Sequence, residues 1–203
     1  MDIDHISVSQ INMYLRCPMQ WYYRYGEGLV LPPAGGMIKG RAVHKGIEIN
    51  YSQKIETFSD LPKSDVVERA VTAFEEEKDD VDWGLEDETP DKAKDAVAVM
   101  TDIYQEQIAP LVQPIGAEEF FEIEIAGERV IGYIDVLTAD GIRDTKTTKR
   151  TPPADVAEKS LQLTCYSLAY TDMMGTEPKE LCLDYMIHGK KETKTAIRSV
   201  EPD

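Results

Sequence analysis

Apolar positions in the first half of the chain recur at helical spacing. Val67, Ala70, Val71 and Phe74 share a face of a helix expected near residues 64–79. Ala96, Val99, Met100, Ile103, Tyr104 and Ile108 do the same near 91–109. Upstream, SVSQINMYLRCPMQWYYRY (7–25) predicts a short helix capped by Ser7 or Ser9, a break at Cys17-Pro18, and an aromatic helical turn. The prolines and glycines of LVLPPAGG mark a loop; a helix over 37–52 follows, with a soft connection to about residue 63. DDVDWGLEDETP reads as an acidic loop, and Pro110 and Pro114 close this helical half.

The second half changes period. FFEIEIAGE, RVIGYIDVLT and GIRDTKTTK are three strand-like runs in a meander. A helix is expected over 155–174. ELCLDYMIHG and a run near 193–200 then read as two strands joined at Gly189. The layout is α/β: a mixed sheet flanked by helices, with an N-terminal helical insertion. A single domain is expected over 1–203, mostly helical over 1–115 and with the sheet core over 116–203.

The second and third strand-like runs flank Asp140-Gly141, a pair that favours a tight hairpin. Side chains alternate along a strand, so Asp144 and Lys146 share a face. With Asp140-Gly141 as a two-residue turn, Asp135 sits opposite Lys146 and Leu137 opposite Asp144. Two carboxylates and an amine on one face are costly to desolvate unless they hold a cation. Because a one-residue longer loop would turn Asp135 to the other face, the reading depends on register.

Bulk composition narrows the function classes. At 42% hydrophobic residues the 203-residue chain can bury a core without disulfides. Cys17, Cys165 and Cys182 are an odd, unpaired set that fits a reducing cytoplasm. The start lacks a basic and apolar leader pattern, and no run approaches a membrane span. The net charge of -16 argues against a nucleic-acid partner, but its distribution weakens the objection. Acids crowd residues 75–95, by default a solvated face. Bases gather at Arg16, Arg24, Lys39, Arg41 and Lys45, and again at Arg143, Lys146, Lys149, Arg150 and Lys159.

Three further motifs accompany the hairpin. Gly40, His44 and Glu48 fall on one helical face, and Gly40 and Gly46 suggest close backbone approach. By itself this motif fits a packed histidine better than a ligand. In EEFFEIEI, Glu119 falls in phase with Phe121, Ile123 and Ile125, a carboxylate on the apolar face that needs a partner. Gln162 and Tyr166 lie one turn apart on the helix after the Asp144-Thr-Lys146 strand; alone, a tyrosine there is more often core.

In this order, GxxxHxxxE, an acidic strand, GYID, DTK and QxxxY resemble the RecB-like branch of the PD-(D/E)XK nuclease superfamily. SVSQINMYLRCPMQWYYRY is similar to the segment preceding the histidine helix there. The resemblance covers nearly the whole chain and is loosest over 53–115. It implies a restriction-endonuclease-like fold and a DNA nuclease, with an exonuclease of recombination, repair or phage DNA processing expected. His44, Asp135 and Asp144 would be side-chain metal ligands, with the Thr145 carbonyl completing the set. Lys146 would orient or deprotonate the attacking water, and Glu119 would hold a water beyond the metal's direct ligands or a second metal. Gln162 and Tyr166 would contact substrate phosphate and the active-site network; from the charge distribution, DNA would lie on the basic side between the His44 helix and Lys149-Arg150. A largely oxygen shell suits Mg²⁺ or Mn²⁺, and the imidazole tilts it towards Mn²⁺.

Some relatives bind an iron–sulfur cluster through a cysteine at the Cys17 position and a C-terminal cysteine trio. This chain has only Cys165 and Cys182 after Cys17, so no such cluster is expected. The resemblance implies DNA as partner and a bacterial or phage-infected cytoplasm; a single-strand annealing or recombination protein, or a helicase, would be a further partner. Two other readings remain: a catalytically idle fold that binds nucleic acid or protein, and an acidic protein-binding surface whose hairpin charges are ordinary ion pairs.

Overall fold

A computed structural model describes residues 4–202; residues 1–3 and 203, the ends of the expected domain, lie outside the described residues. Helix α1 (Val8–Arg16) starts where the Ser7 side chain accepts from the Gln10 N–H, and ends at Cys17, whose extended backbone separates it from α2 (Pro18–Trp21). A π-type turn, Tyr22–Gly26, follows. Then come α3 (Gly35–Thr57), α4 (Lys63–Glu77) and α5 (Pro90–Gln107). The sheet has β1 (Ile6–Ser7), β2 (Pro114–Ile125), β3 (Glu128–Thr138), β4 (Gly141–Thr148), β5 (Glu180–His188) and β6 (Thr193–Val200). Helix α6 spans Leu161–Met174 rather than the expected 155–174. Ser160 is its N-cap, accepting from the Leu163 N–H, and residues 151–160 run as coil and turns after Pro152-Pro153.

The elements form three layers. Helices α3, α4 and α5 bury Ile38, Val43, Ile47, Tyr51, Phe74 and Tyr104 against one sheet face, represented by Val136 and Met186. Leu163, Tyr166, Ala169 and Tyr170 of α6 pack on the other face with Phe121, Ile134, Ile142 and Leu183. Gly46 allows α3 to meet α4: a Cβ there would stand 2.8 Å from the Val66 carbonyl oxygen and 2.9 Å from Ala70 Cβ.

The acidic segment is more than a solvated face. Glu86 accepts from the Gly35 N–H at 2.6 Å, capping the N-terminus of α3, and Glu88 pairs with the buried Lys39. Trp83 packs on Phe74 and donates to the Lys78 carbonyl. Two of the expected basic-side residues are likewise spent internally. Arg41 pairs with Glu77, and Arg143 makes a two-pronged contact with the fully buried Asp184 at 2.8 and 2.7 Å.

Sheet topology creates an opening. One edge of β3 pairs with β2 along its length. The other edge is shared: β1 runs parallel to it at Val130 and Ile131, and β4 pairs antiparallel at Val136–Arg143 and Leu137–Ile142. Between those contacts β3 and β4 form a fork. The hairpin turn is Ala139-Asp140, one residue earlier than expected, so Asp135 is level with Asp144 instead of Lys146. The two-residue shift preserves the faces. Gly141 is required for a different reason than turn geometry, since a Cβ there would lie 1.8 Å from the Glu180 carbonyl oxygen on β5.

Candidate active site

The fork gathers side chains from both helical layers. His44 on α3 directs Nε2 at the Thr145 carbonyl oxygen, 2.8 Å away, while Nδ1 lies 3.4 Å from Asp135 Oδ2 and 3.9 Å from Glu118 Oε1. Asp135 takes over a role that a ladder bond would fill elsewhere: its Oδ2 accepts from the Thr145 N–H at 2.8 Å. Candidate ligand atoms of His44, Glu118 and Asp135 all lie within 4.8 Å of one another.

On the α6 side, Asp144 is fully buried. Its Oδ2 lies 2.6 Å from Lys146 Nζ, and its Oδ1 accepts from Gln162 Nε2 at 2.9 Å. Gln162 also accepts from Lys146 Nζ at 2.9 Å and donates to the Tyr166 hydroxyl at 2.8 Å. Tyr166 in turn donates to the Tyr133 carbonyl at 2.7 Å, satisfying a backbone group that the fork leaves without a strand partner. Lys146, Gln162, Asp144 and Tyr166 are therefore one connected network.

Electrostatics follow from this crowding. Burial works to lower the His44 pKa, but Asp135 and Glu118 more than reverse it and hold the imidazole up to about 9. Burial pushes both Asp135 and Asp144 above the ordinary carboxylate range; Asp135 adds to the rise at Asp144, whereas His44 and Lys146 oppose it at both. Tyr166 is raised by burial and by the same two acids. The charges balance only with protons, or another positive charge, among the acids.

The acid beside His44 is Glu118, whereas the residue that the β2 pattern singles out is Glu119. Strict alternation put Glu119 on the apolar face with Phe121. Instead Glu118 has a left-handed backbone (φ 52°), and the alternation reverses there. Ala117 packs with the α3–α5 core although Phe121, four residues on, packs with the α6 core; on β3, Val136 and Ile134 are split in the same way. The Glu119 side chain folds against Gly116, where an added Cβ would be 2.4 Å from its Cγ. No pattern signal marks Glu118, because a positive φ at a glutamate is set by the surroundings. Lys149 and Arg150 lie beyond the end of β4, exposed, with Lys149 Nζ 3.8 Å from Glu88. Cys17, Cys165 and Cys182 are free and sit at the α1–α2 break, on α6 and on β5.

A family model described as the PD-(D/E)XK nuclease superfamily matches residues 5–201. The chain belongs to that superfamily. It is 30% identical to the "Gene 69 protein" of Mycobacterium phage D29, an alignment covering 91% of this chain and 75% of that protein. Among solved structures, that of a "Putative exonuclease" from Eubacterium rectale superposes with a TM-score of 0.65 at 11% identity, covering 98% of this chain and 73% of that one. This second likeness concerns the fold: a central mixed sheet flanked by helices, as the superfamily has. No described helix is long and apolar enough to cross a membrane.

Proposed function

We propose that this nuclease is a metal-dependent deoxyribonuclease, working as an exonuclease in recombination, repair or phage DNA processing. The observation that carries the reading is the fork itself, where Asp135, Asp144 and Lys146 meet His44 and Glu118 around an open sheet edge.

The donor set suits a divalent cation. The carboxylates of Glu118 and Asp135 with the His44 imidazole form a mostly oxygen donor group that fits Mg²⁺ or Mn²⁺; Asp144, outside that group, and the Thr145 carbonyl would complete it. Asp135 Oδ2 and Glu118 Oε1 lie 3.4 and 3.9 Å from His44 Nδ1, while Nε2 is engaged by the Thr145 carbonyl oxygen, so Nδ1 is the nitrogen that would face the ion. The raised pKa of His44 supports the same reading: a proton holds the place where a metal's charge would go. Bound there, a divalent ion would lower the pKa of water and offset charge on the phosphoryl oxygens.

The chain's own groups supply the rest. Lys146, fixed between Asp144 and Gln162, orients the attacking water as an ammonium that offsets negative charge at the phosphate, or as a neutral amine receives that water's proton. Gln162 holds Lys146 and Asp144 in register, and Tyr166 locks Gln162. Lys149 and Arg150 continue the basic rim past β4. The catalytically idle alternative is disfavoured because Lys146, Asp144, Gln162 and Tyr166 are all present and joined in one network.

End-labelled linear DNA and closed circular DNA, incubated with Mg²⁺, Mn²⁺ or EDTA, test the reading. Degradation of linear DNA alone, abolished by EDTA, is expected. Cutting of circles would replace the exonuclease assignment by an endonuclease one, and cleavage unaffected by EDTA would overturn the metal dependence.

A further inference from the structure

At the far end of β4, three residues beyond Lys146, the surface holds a hollow of about 320 Å³ between the strand end and the β5–β6 turn. Its lining includes Lys149, Lys190, Lys191 and Lys194, with Glu192 the one carboxylate. All four lysines are exposed. The register explains why they converge: Ile187 on β5 pairs with Thr148 on one side and Lys194 on the other, and the Gly189 N–H closes the turn onto the Glu192 carbonyl.

This concentration is unusual for a chain with a net charge of -16. Elsewhere lysines and arginines are largely neutralised, as in the pairs Lys39–Glu88, Lys54–Asp60 and Arg143–Asp184. In the hollow, Lys194 has Glu192 at 2.9 Å and Lys149 has Glu88 only at 3.8 Å. Among the described residues, Lys190 and Lys191 have no carboxylate within 4 Å. Four ammonium groups against Glu192 and a Glu88 that is already paired with Lys39 leave a local excess of positive charge, centred on Lys190 and Lys191. Like charges held together on a surface repel unless an external anion joins them.

We propose that this hollow is a binding site for the phosphodiester backbone of the DNA substrate, guiding the strand that enters or leaves the fork. The inference rests on the nuclease reading above. Three residues of strand separate Lys146 from Lys149, about 10 Å, so a backbone held at the fork continues within reach of the hollow. Lysines bind phosphate as point charges without reading bases, so the site adds affinity and path and leaves sequence preference unchanged.

The test measures DNA affinity against salt in a Lys146→Ala background, which prevents cleavage, with and without Lys190→Ala/Lys191→Ala. Losing two phosphate contacts lowers the slope of log K against log salt by about 1.8 on duplex or about 1.4 on single strands. The arm showing its full shift identifies the form of DNA bound. Lys63→Ala, which removes a lysine paired with Asp102 and Glu106 on the helical layer, is expected to leave the slope unchanged. In the otherwise wild-type chain, Lys190→Ala/Lys191→Ala is expected to weaken cleavage at low DNA concentration and spare it at saturation. An unchanged slope in a chain that binds and cuts DNA would overturn the hollow alone. A shift equal to that of Lys63→Ala would reduce it to net charge and overturn it as well. A chain that neither binds nor cuts DNA would overturn the nuclease reading together with it.

Discussion

Gln162 Nε2 donates to Asp144 Oδ1 at 2.9 Å, tying α6 to the most deeply buried acid of the fork. The same amide accepts from Lys146, so one side chain fixes the distance between an acid and its ammonium partner. Gln162→Ala is expected to lower kcat by about 10–100-fold, the usual cost of losing a partner that orients ligands. The melting temperature should change little, because Lys146 still offsets the Asp144 charge. Steady-state kinetics beside a thermal melt check both; full activity would remove Gln162 from the site's working parts.

Lys146→Ala separates chemistry from metal binding. The ammonium is 2.6 Å from Asp144 and, having no lone pair, is not itself a metal ligand. Stabilisation by Mn²⁺ should persist in the variant, while cleavage falls by at least about 100-fold, the low end for losing a general acid or base. Undiminished cutting would refute the assigned role of Lys146.

Glu118 and Glu119 make a direct comparison. Only Glu118 approaches His44, at 3.9 Å, and Glu119 lies against Gly116. Glu118→Gln is expected to weaken the stabilisation conferred by Mg²⁺ or Mn²⁺, and Glu119→Gln to leave it near the wild-type value. Thermal melts across a metal titration read the difference, and the reverse order would restore the position that simple alternation favoured.

Asp184 is fully buried against Arg143 near Tyr51 and Tyr104, at the β5 position that pairs with Thr145. Asp184→Ala leaves a guanidinium without its partner and is expected to cost about 3–5 kcal/mol by denaturant unfolding. Replacing both, as Arg143→Met with Asp184→Leu, should cost much less. Equal losses in the single and double variants would mean that the pair itself, and not the stranded charge, sets the stability.

Much of this molecule is legible in hydrophobic period and short motifs. The helix and strand order follows from the switch from a 3.6-residue to a two-residue period. Asp144 and Lys146 share a face in any register, so their meeting could be read without a structure. What was not legible depends on partners distant in sequence. The turn at Ala139-Asp140 was hidden because Gly141 imitates a turn glycine while serving contact with Glu180. Glu118 was hidden by its left-handed backbone, and α6 began late because Ser160 supplies a cap that outweighs the helical appearance of residues 155–159. The acidic loop has the composition of solvated surface, yet Glu86 caps α3 and Glu88 pairs with it.

Proton and metal should compete in the fork, and the sign of the effect is fixed by the pKa shifts. In the metal-free protein His44 is held up to about 9, against 6.5 for a free side chain. Its contribution to stability is therefore complete below about pH 6.5 and is lost as pH rises through about 9. Asp135 and Asp144, raised chiefly by burial, act in the same direction: the fold favours their protonated forms, so ionising them as pH climbs above the ordinary carboxylate range costs stability. A divalent ion needs those groups deprotonated and gains affinity over the same span. The EDTA-treated protein is expected to melt at lower temperature at pH 9 than at pH 6.5, while the increase in Tm on adding Mg²⁺ grows. His44→Ala should flatten the pH dependence of the metal-free protein between these values. A Mg²⁺-induced gain that shrank towards pH 9 would show that the imidazole and carboxylates of the fork do not bind the ion.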